Sequence, residues 1–524
     1  MRVGSIVRID LHGRRVRGWV VAEGAGSAKA LELKPIAKVS PGFVAPELVE
    51  LSRWAAWRWA GKRRSFLNTA SEFRSVKDFP PGWREILHRT PWADAALTHE
   101  RAVLRLAPAV DPWPVVVAAA ERGPALVLVP SVARVDRLQR RLRAEGISWV
   151  VVGARAGAWA PCPDLASVVV IDAHDEVYAE ERAPTWNAWV AAAERARRAS
   201  APCILVSATP TLEQLHWGAL VETDRSAERS GWARVEILDR RGDDPRLGLW
   251  SRRVVDLARG GGRVVCVLNR TGRAKLLACA TCGTVATCER CAAAVQQPGD
   301  ELVCGRCATT RPPVCLACGG GRMKLLRIGT TRAAEELSAL IGESVGEVTG
   351  ASSVVPDERV LVGTEALLHR VGRADAVVFV DLDAELSAPH FRANEATLAL
   401  LARAARLVRG RVTDAVVVVQ TRQPDHPVLR AVVAIDPAPV GVADTEVREA
   451  LALPPFGAMA HVSAEGAAAF VSQLGGRVDV RVVGPDDKGA YLVRAADHQL
   501  LCDALASAQR PTERVRVSVD PGRV

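Results

Sequence analysis

At 524 residues the chain is too long for a single hydrophobic core, so several domains are expected, and a hydrophobic content of 49% is ample to pack them. No uninterrupted apolar run is long enough for a helix to span a bilayer, and the opening "MRVGSIVRID" carries no apolar signal segment; no membrane association and a reducing, cytoplasmic setting are expected. Sixty-nine basic against 59 acidic residues give a net charge of +10, which makes an anionic partner plausible without specifying one.

In chain order, "SIVRIDL", "RRVRGWVVAE" and "LKPIAKV" predict three short strands of a small basic β module. From Pro46, Leu48, Leu51, Trp54, Ala55 and Trp59 recur at helical spacing. A tryptophan stripe of this kind among arginines can stack on bases, but helical spacing already accounts for it as core. The module is taken as residues 1–64, followed by a linker over 65–104 that contains Pro80-Pro81 and little periodicity.

"ALVLVP", "WVVVG", "SVVVIDAHD" and "CILVSATP" then read as buried parallel strands alternating with helical segments, a first α/β lobe over 105–225. The rhythm returns in "RVVCVLNRTG", "RVLVGT", "AVVFVDLD" and "AVVVVQT", a second lobe over 226–436. A small α+β domain is expected over 437–524, closing on "VRVSVDP".

Between the first two strands of the second lobe lies an insertion, 279–318, that holds eight of the twelve cysteines, all as Cys-x-x-Cys pairs. Two intervening residues let both sulfurs of a pair turn toward one tetrahedral ion, so eight thiolates imply two Zn²⁺ ions rather than disulfides. Four pairs can be grouped in three ways. Joining Cys288 and Cys291 to Cys304 and Cys307 leaves a twelve-residue excursion, and Cys279, Cys282, Cys315 and Cys318 then form an outer site. Of the isolated cysteines Cys162, Cys203, Cys266 and Cys502, the second and third sit in apolar runs and are expected as core thiols.

The order of these segments, together with "LNRTG" directly before the eight-cysteine insertion, "VGTEAL", "VDLDAELSAPHFRANEA", "VVVVQTRQPDHPVL" and "LPPFG", resembles the primosomal protein N′ family of replication restart (PriA) helicases along most of the chain. The resemblance implies two RecA-like lobes, an inserted two-zinc domain, an N-terminal DNA-binding module and nested cysteine pairing. It also implies recognition of abandoned or stalled replication forks, single-stranded DNA binding, and primosome assembly with reloading of the replicative helicase through its loader. A monomer is expected.

The motor motifs depart from that pattern. No G-x-x-x-x-G-K-[ST] run exists, and where the phosphate loop should precede "ALVLVP" the chain has "DPWPVVVAAAERGP". The only Gly-Lys, Gly61-Lys62, lacks the upstream glycine and the hydroxyl. The family's acidic motif becomes Asp172-Ala173-His174-Asp175, which keeps the aspartate but not the water-orienting glutamate. "AARLVRG" keeps Arg406 and Arg409 while the expected glycines are Ala405 and Val408; "SATP", 207–210, is intact. A degenerate member without catalytic or nucleotide-binding residues is therefore expected, in which "SATP" serves as a strand-to-helix turn and Asp172 as a strand-end cap. A helicase with a non-standard nucleotide site, acting 3′ to 5′, and a scaffold that binds only primosome proteins are the alternatives. In the N-terminal module the resemblance places Gly13 and Lys34 near the terminal nucleotide. The resemblance does not extend to the family's first strand, for which either a start codon further upstream or an incomplete pocket is expected, nor to its winged-helix segment and glutamine motif.

Overall fold

The computed structural model describes the chain apart from residues 12, 25–34, 74–89, 244–247, 269–276, 326–329, 353, 410–414 and 523–524. It divides into two compact units: one comprises residues 1–105, 112–222 and 448–521, the other 106–111, 223–447 and 522–524.

The first unit is built on a six-stranded, all-parallel sheet, in the order Ala219–Glu222, Arg101–Arg105, Cys203–Ser207, Ser167–Ile171, Ala125–Leu128, Val150–Gly153. Its central strands are continuous Val, Ile and Leu runs because helices cover them on the buried faces. A linker was expected over 65–104, and its last four residues are corrected: they belong to strand Arg101–Arg105, which pairs on both edges, with Cys203–Ser207 and with Ala219–Glu222. Arginines at both ends hide a buried Ala-Val-Leu centre, so the run does not read as apolar. Helix Pro91–Leu97 also lies inside the expected linker, and helix Arg63–Ala70 straddles its start; Pro80-Pro81 lies outside the described residues.

Upstream, strands Arg14–Trp19, Ser5–Leu11 and Lys38–Phe43 form a three-stranded antiparallel sheet in that order. The third strand begins five residues later than "LKPIAKV" suggested. Helix Pro46–Arg58 follows, with Leu48, Leu51, Ala55 and Trp59 all buried, which makes the aromatic stripe core rather than a base-stacking face. Trp59 meets Trp54, Phe66 and Trp186 with ring centroids 5.3, 6.1 and 6.4 Å away. At the C-terminal side, strands Val480–Val483, Tyr491–Ala495, Ala458–Ser463 and Arg516–Val519 form an antiparallel sheet carrying helices Ala467–Ser472 and His498–Ser507.

One continuous core joins these three regions. The fully buried Arg195 side chain ties the first lobe to the N-terminal helices: its guanidinium donates to the Ala158 and Ala160 carbonyls at 2.9 Å each and to Glu47 Oε1 at 2.8 Å. At the other end of helix Pro46–Arg58, Arg58 pairs with Asp520, which His498 Nε2 also contacts at 2.7 Å. Burial raises the cost of the Asp520 charge, but Arg58 and His498 reverse the balance and hold the carboxyl far below its usual range. The N-terminal helices and the C-terminal domain thus pack on the first lobe as one body, where the sequence suggested three separable domains.

The second unit repeats the six-stranded parallel plan, in the order Arg234–Asp239, Val416–Thr421, Ala376–Asp381, Val264–Leu268, Val360–Gly363, Gly346–Val348. The four expected strands are the four central ones. The two edge strands, shorter or with partly exposed side chains, were missed. The boundary was expected at 437, just before helix Ala438–Ala450, but the division falls inside that helix, at residue 448. Cys162, Cys203, Cys266 and Cys502 are all buried, and burial pushes their thiols up, to about 12 for Cys266. Among the described residues no helix is long and apolar enough to cross a membrane.

Candidate metal centres and nucleic-acid interface

Four turns of one kind assemble the cysteine module. In each Cys-x-x-Cys pair the residue after the second cysteine turns left-handed, Gly283 at φ +75°, Ala292 and Ala308 at +56°, and Gly319 at +75°. Its N–H bonds back to the carbonyl of the first cysteine, at 3.0, 2.9, 3.0 and 2.9 Å respectively. Glycine takes this left-handed backbone without a Cβ clash and alanine pays that cost within the turn, and the repeated C-x-x-C-[GA] was a signal available in the sequence.

The turns bring Cys279, Cys282, Cys315 and Cys318 together, and separately Cys288, Cys291, Cys304 and Cys307, with the sulfurs of each group within 4.8 Å of one another. This is the nested grouping. Neighbouring sulfurs stand 3.6 Å apart in the outer group (Cys279 to Cys318, Cys282 to Cys315) and 3.5 Å in the inner one (Cys288 to Cys307, Cys291 to Cys304). Four thiolates about 2.3 Å from one ion would sit roughly 3.8 Å apart, so both groups fit a tetrahedral metal. Thr284 Oγ1 lies 3.2 Å from Cys282 Sγ and Thr309 Oγ1 3.1 Å from Cys307 Sγ. These hydroxyls, with the threonine N–H groups, pull both thiols down to about 6, toward the thiolate that a metal needs. Within the same inner group burial pushes Cys291 up to about 12.

The inner site is docked on its own lobe. Arg306, between Cys304 and Cys307, donates to the Ala388 and His390 carbonyls at 2.9 and 3.2 Å, and Ala294 N–H reaches the Ser387 carbonyl at 2.8 Å. The outer site instead carries the half-exposed Val314 and the largely exposed Leu316.

At the expected phosphate-loop position, helix Trp113–Glu121 begins with Pro112 as N-cap and Pro114 in its first turn. A phosphate cradle needs successive free backbone N–H groups at a helix start. Pro112 and Pro114 have none, and the N–H groups of Val115 and Val116 are both bonded to the Pro112 carbonyl, at 3.2 and 3.4 Å. Asp172 is buried with φ +55°, its carboxylate paired with Arg134 near the start of helix Val132–Ala144. Burial disfavours the Arg134 charge, but the Asp172 carboxylate outweighs that and raises its pKa. Asp172 thus joins strand end to helix through an ion pair rather than capping by itself. His174 Nδ1 lies 2.8 Å from Ser207 Oγ, and Thr211 with Gln214 forms a capping box that starts helix Leu212–Trp217, so "SATP" is a strand-to-helix turn. Ala405 and Val408 are buried, so the residues standing for the family's glycines pack in the second lobe.

The DNA-facing candidates that are described fall in different units. Gly13, at φ +76° with open space around it, completes the hairpin between Ser5–Leu11 and Arg14–Trp19 in the first unit. Lys34 lies outside the described residues. Arg406, half-buried on helix Ala393–Leu407, and Arg409, exposed at φ +59°, belong to the second unit.

A family model described as the 3′ DNA-binding domain (3′BD) of PriA matches residues 1–71. The probable replication restart protein PriA of Mycobacterium leprae is 29% identical over 476 residues, which cover 83% of this chain and 71% of that protein. The replication restart protein PriA of Haemophilus influenzae is 25% identical over 350 residues, 61% of this chain and 48% of that one. Among solved structures, the DUF1998 helicase MrfA bound to DNA and AMPPNP aligns with a TM-score of 0.33 at 13% identity, over 65% of this chain and 49% of that one, too remote to carry weight.

Proposed function

Because the chain belongs to the replication restart protein PriA family, we propose that it binds abandoned or stalled replication forks and promotes primosome assembly and reloading of the replicative helicase without unwinding DNA itself. The observation that carries the loss of the motor is the first turn of helix Trp113–Glu121, where two prolines and two already bonded N–H groups leave no cradle for a triphosphate. The Arg134 guanidinium on Asp172 supports the same reading: it places a fixed cation on the carboxylate that would otherwise serve Mg²⁺.

In this reading the two cysteine groups hold two structural Zn²⁺ ions. Four thiolates each, with no place kept for water, suit a closed structural site rather than a catalytic one. The zinc fixes a module whose own apolar core is small, and the outer site offers Val314 and Leu316 to primosome partners. Gly13, Lys34, Arg406 and Arg409 are the proposed DNA contacts, on a cytoplasmic, monomeric protein.

The test is equilibrium binding of the zinc-loaded protein to a labelled three-way fork and to linear duplex of equal length, across a salt series, beside an ATPase assay with the same DNA. A fork preference that survives moderate salt, with no DNA-stimulated ATP hydrolysis, is the expected result. Hydrolysis that rises with fork DNA in preparations free of other helicases would establish the non-standard motor instead.

A further inference from the structure

The N-terminal sheet carries an arrangement that its own stability does not call for. Strand Ser5–Leu11 is central, and Arg8 lies opposite Arg17 of Arg14–Trp19 on one side and Lys38 of Lys38–Phe43 on the other. Residues directly opposite in an antiparallel ladder point to the same face, with Cβ atoms roughly 4.5–5.5 Å apart, so three cations stand in a row about 10 Å long. All three are exposed, and none forms an ion pair among the described residues. Like charges directly opposite one another destabilise a sheet.

The adjoining positions on the same face differ. Two residues along, Asp10 lies opposite Arg15 and pairs with it at 3.6 Å. Two residues the other way, Ile6 lies opposite Trp19, whose Nε1 donates to Ser71 Oγ at 2.9 Å. One rung is neutralised and one is packed; only the Arg17–Arg8–Lys38 rung gathers charge of a single sign.

We propose that this rung is a backbone-phosphate track for single-stranded DNA, separate from the turn at Gly13. The inference rests on the DNA-binding reading above and adds to it the residues that hold the strand. A run of phosphates supplies the negative charge that the sheet withholds, and guanidinium groups meet phosphate oxygens through paired N–H donors. Contacts of this kind position a strand without reading its sequence. The three side chains stand on strands, so their spacing is set by the ladder before DNA arrives.

The test uses the full-length, zinc-loaded chain and a fluorescent single-stranded oligonucleotide with a free 3′ end, followed by anisotropy across a salt series. Each phosphate contact on a single strand contributes about 0.7 to the slope of log K against log salt, so the triple variant R8Q/R17Q/K38Q is expected to lower that slope by about 2 and to weaken binding at low salt. A charge-matched control, R137Q/R140Q/R143Q on the exposed face of helix Val132–Ala144, is expected to change the slope less. A second readout needs no DNA: R8Q removes the central charge and is expected to raise the melting temperature at low salt, with the gain fading at high salt. A triple variant with unchanged slope and affinity, or a control that costs as much, overturns the phosphate track. Failure of the unmodified protein to bind single-stranded or forked DNA at all would instead overturn the reading on which the track rests.

Discussion

Replacing Arg195 by alanine isolates the join between the N-terminal helices and the first lobe. The side chain is fully buried, and its loss strands the Ala158 and Ala160 carbonyls, each now bonded at 2.9 Å. A buried acceptor left unmade costs about 1–3 kcal/mol, so the two together cost about 2–6 kcal/mol. The Glu47 carboxylate is 45% exposed and can rehydrate, so its share of the pair is only about 0–1 kcal/mol. Removing the aliphatic stem adds about 1–2 kcal/mol of lost packing. A total of about 5 kcal/mol should lower the melting temperature by on the order of 10 °C in a body of this size. R195M, which keeps most of the stem and loses the bonds, should fall between. The assay is thermal unfolding with hydrogen exchange over 46–70 and 155–160, where protection should fall first. A melting shift under about 2 °C in R195A would refute the assignment of this buried arginine as the tie.

Elemental analysis should find two zinc ions per chain, and C288S should lose one and raise exchange over the inner ribbon while leaving the parallel strands of the second lobe protected. Deleting 279–318 should abolish helicase reloading in a reconstituted assay yet leave part of the fork binding. Calorimetry with Mg²⁺-ATP should show no binding, and replacing Pro112 and Pro114 by glycine should not restore it, because the lysine and hydroxyl remain absent. Asp383 supplies a pH test. Burial, helped by the Asp381 carboxylate, pushes its carboxyl up to about 7, against an opposing pull from the Thr421 hydroxyl and Arg422 N–H. Since the folded pKa lies above the unfolded value of about 3.9, the protonated form is favoured by folding, and that stability is lost as pH rises from about 4 through 7, on the order of 4 kcal/mol in all. D383N should flatten this slope in urea unfolding between pH 5 and 8; an unchanged slope would remove Asp383 as its source.

Much of the chemistry was legible in the sequence because it depends on near neighbours. Cys-x-x-Cys sets two sulfurs on one turn, so the members of both candidate metal-binding groups could be named and the nested grouping argued from the twelve-residue excursion. The central strands announced themselves as unbroken β-branched runs, since burial on both faces removes the need for polar residues. The absence of a G-x-x-x-x-G-K-[ST] run was equally plain, and a proline lacks its N–H in any fold.

Tertiary structure alone decided the rest. Arg101–Arg105 is a central strand only because Cys203–Ser207 and Ala219–Glu222 flank it; its two arginines conceal it until the neighbours are known. Asp172 could be recognised as a surviving acid, but its occupation by Arg134, thirty-eight residues earlier, required the fold. Likewise Arg8, Arg17 and Lys38 are ordinary charges in the sequence and become a row only through strand register. Local sequence fixes the turn and the ligand spacing. Partners brought together across the chain depend on pairing that no short stretch encodes, and for that reason the joining of the N-terminal helices, first lobe and C-terminal domain into one core had no signal of its own.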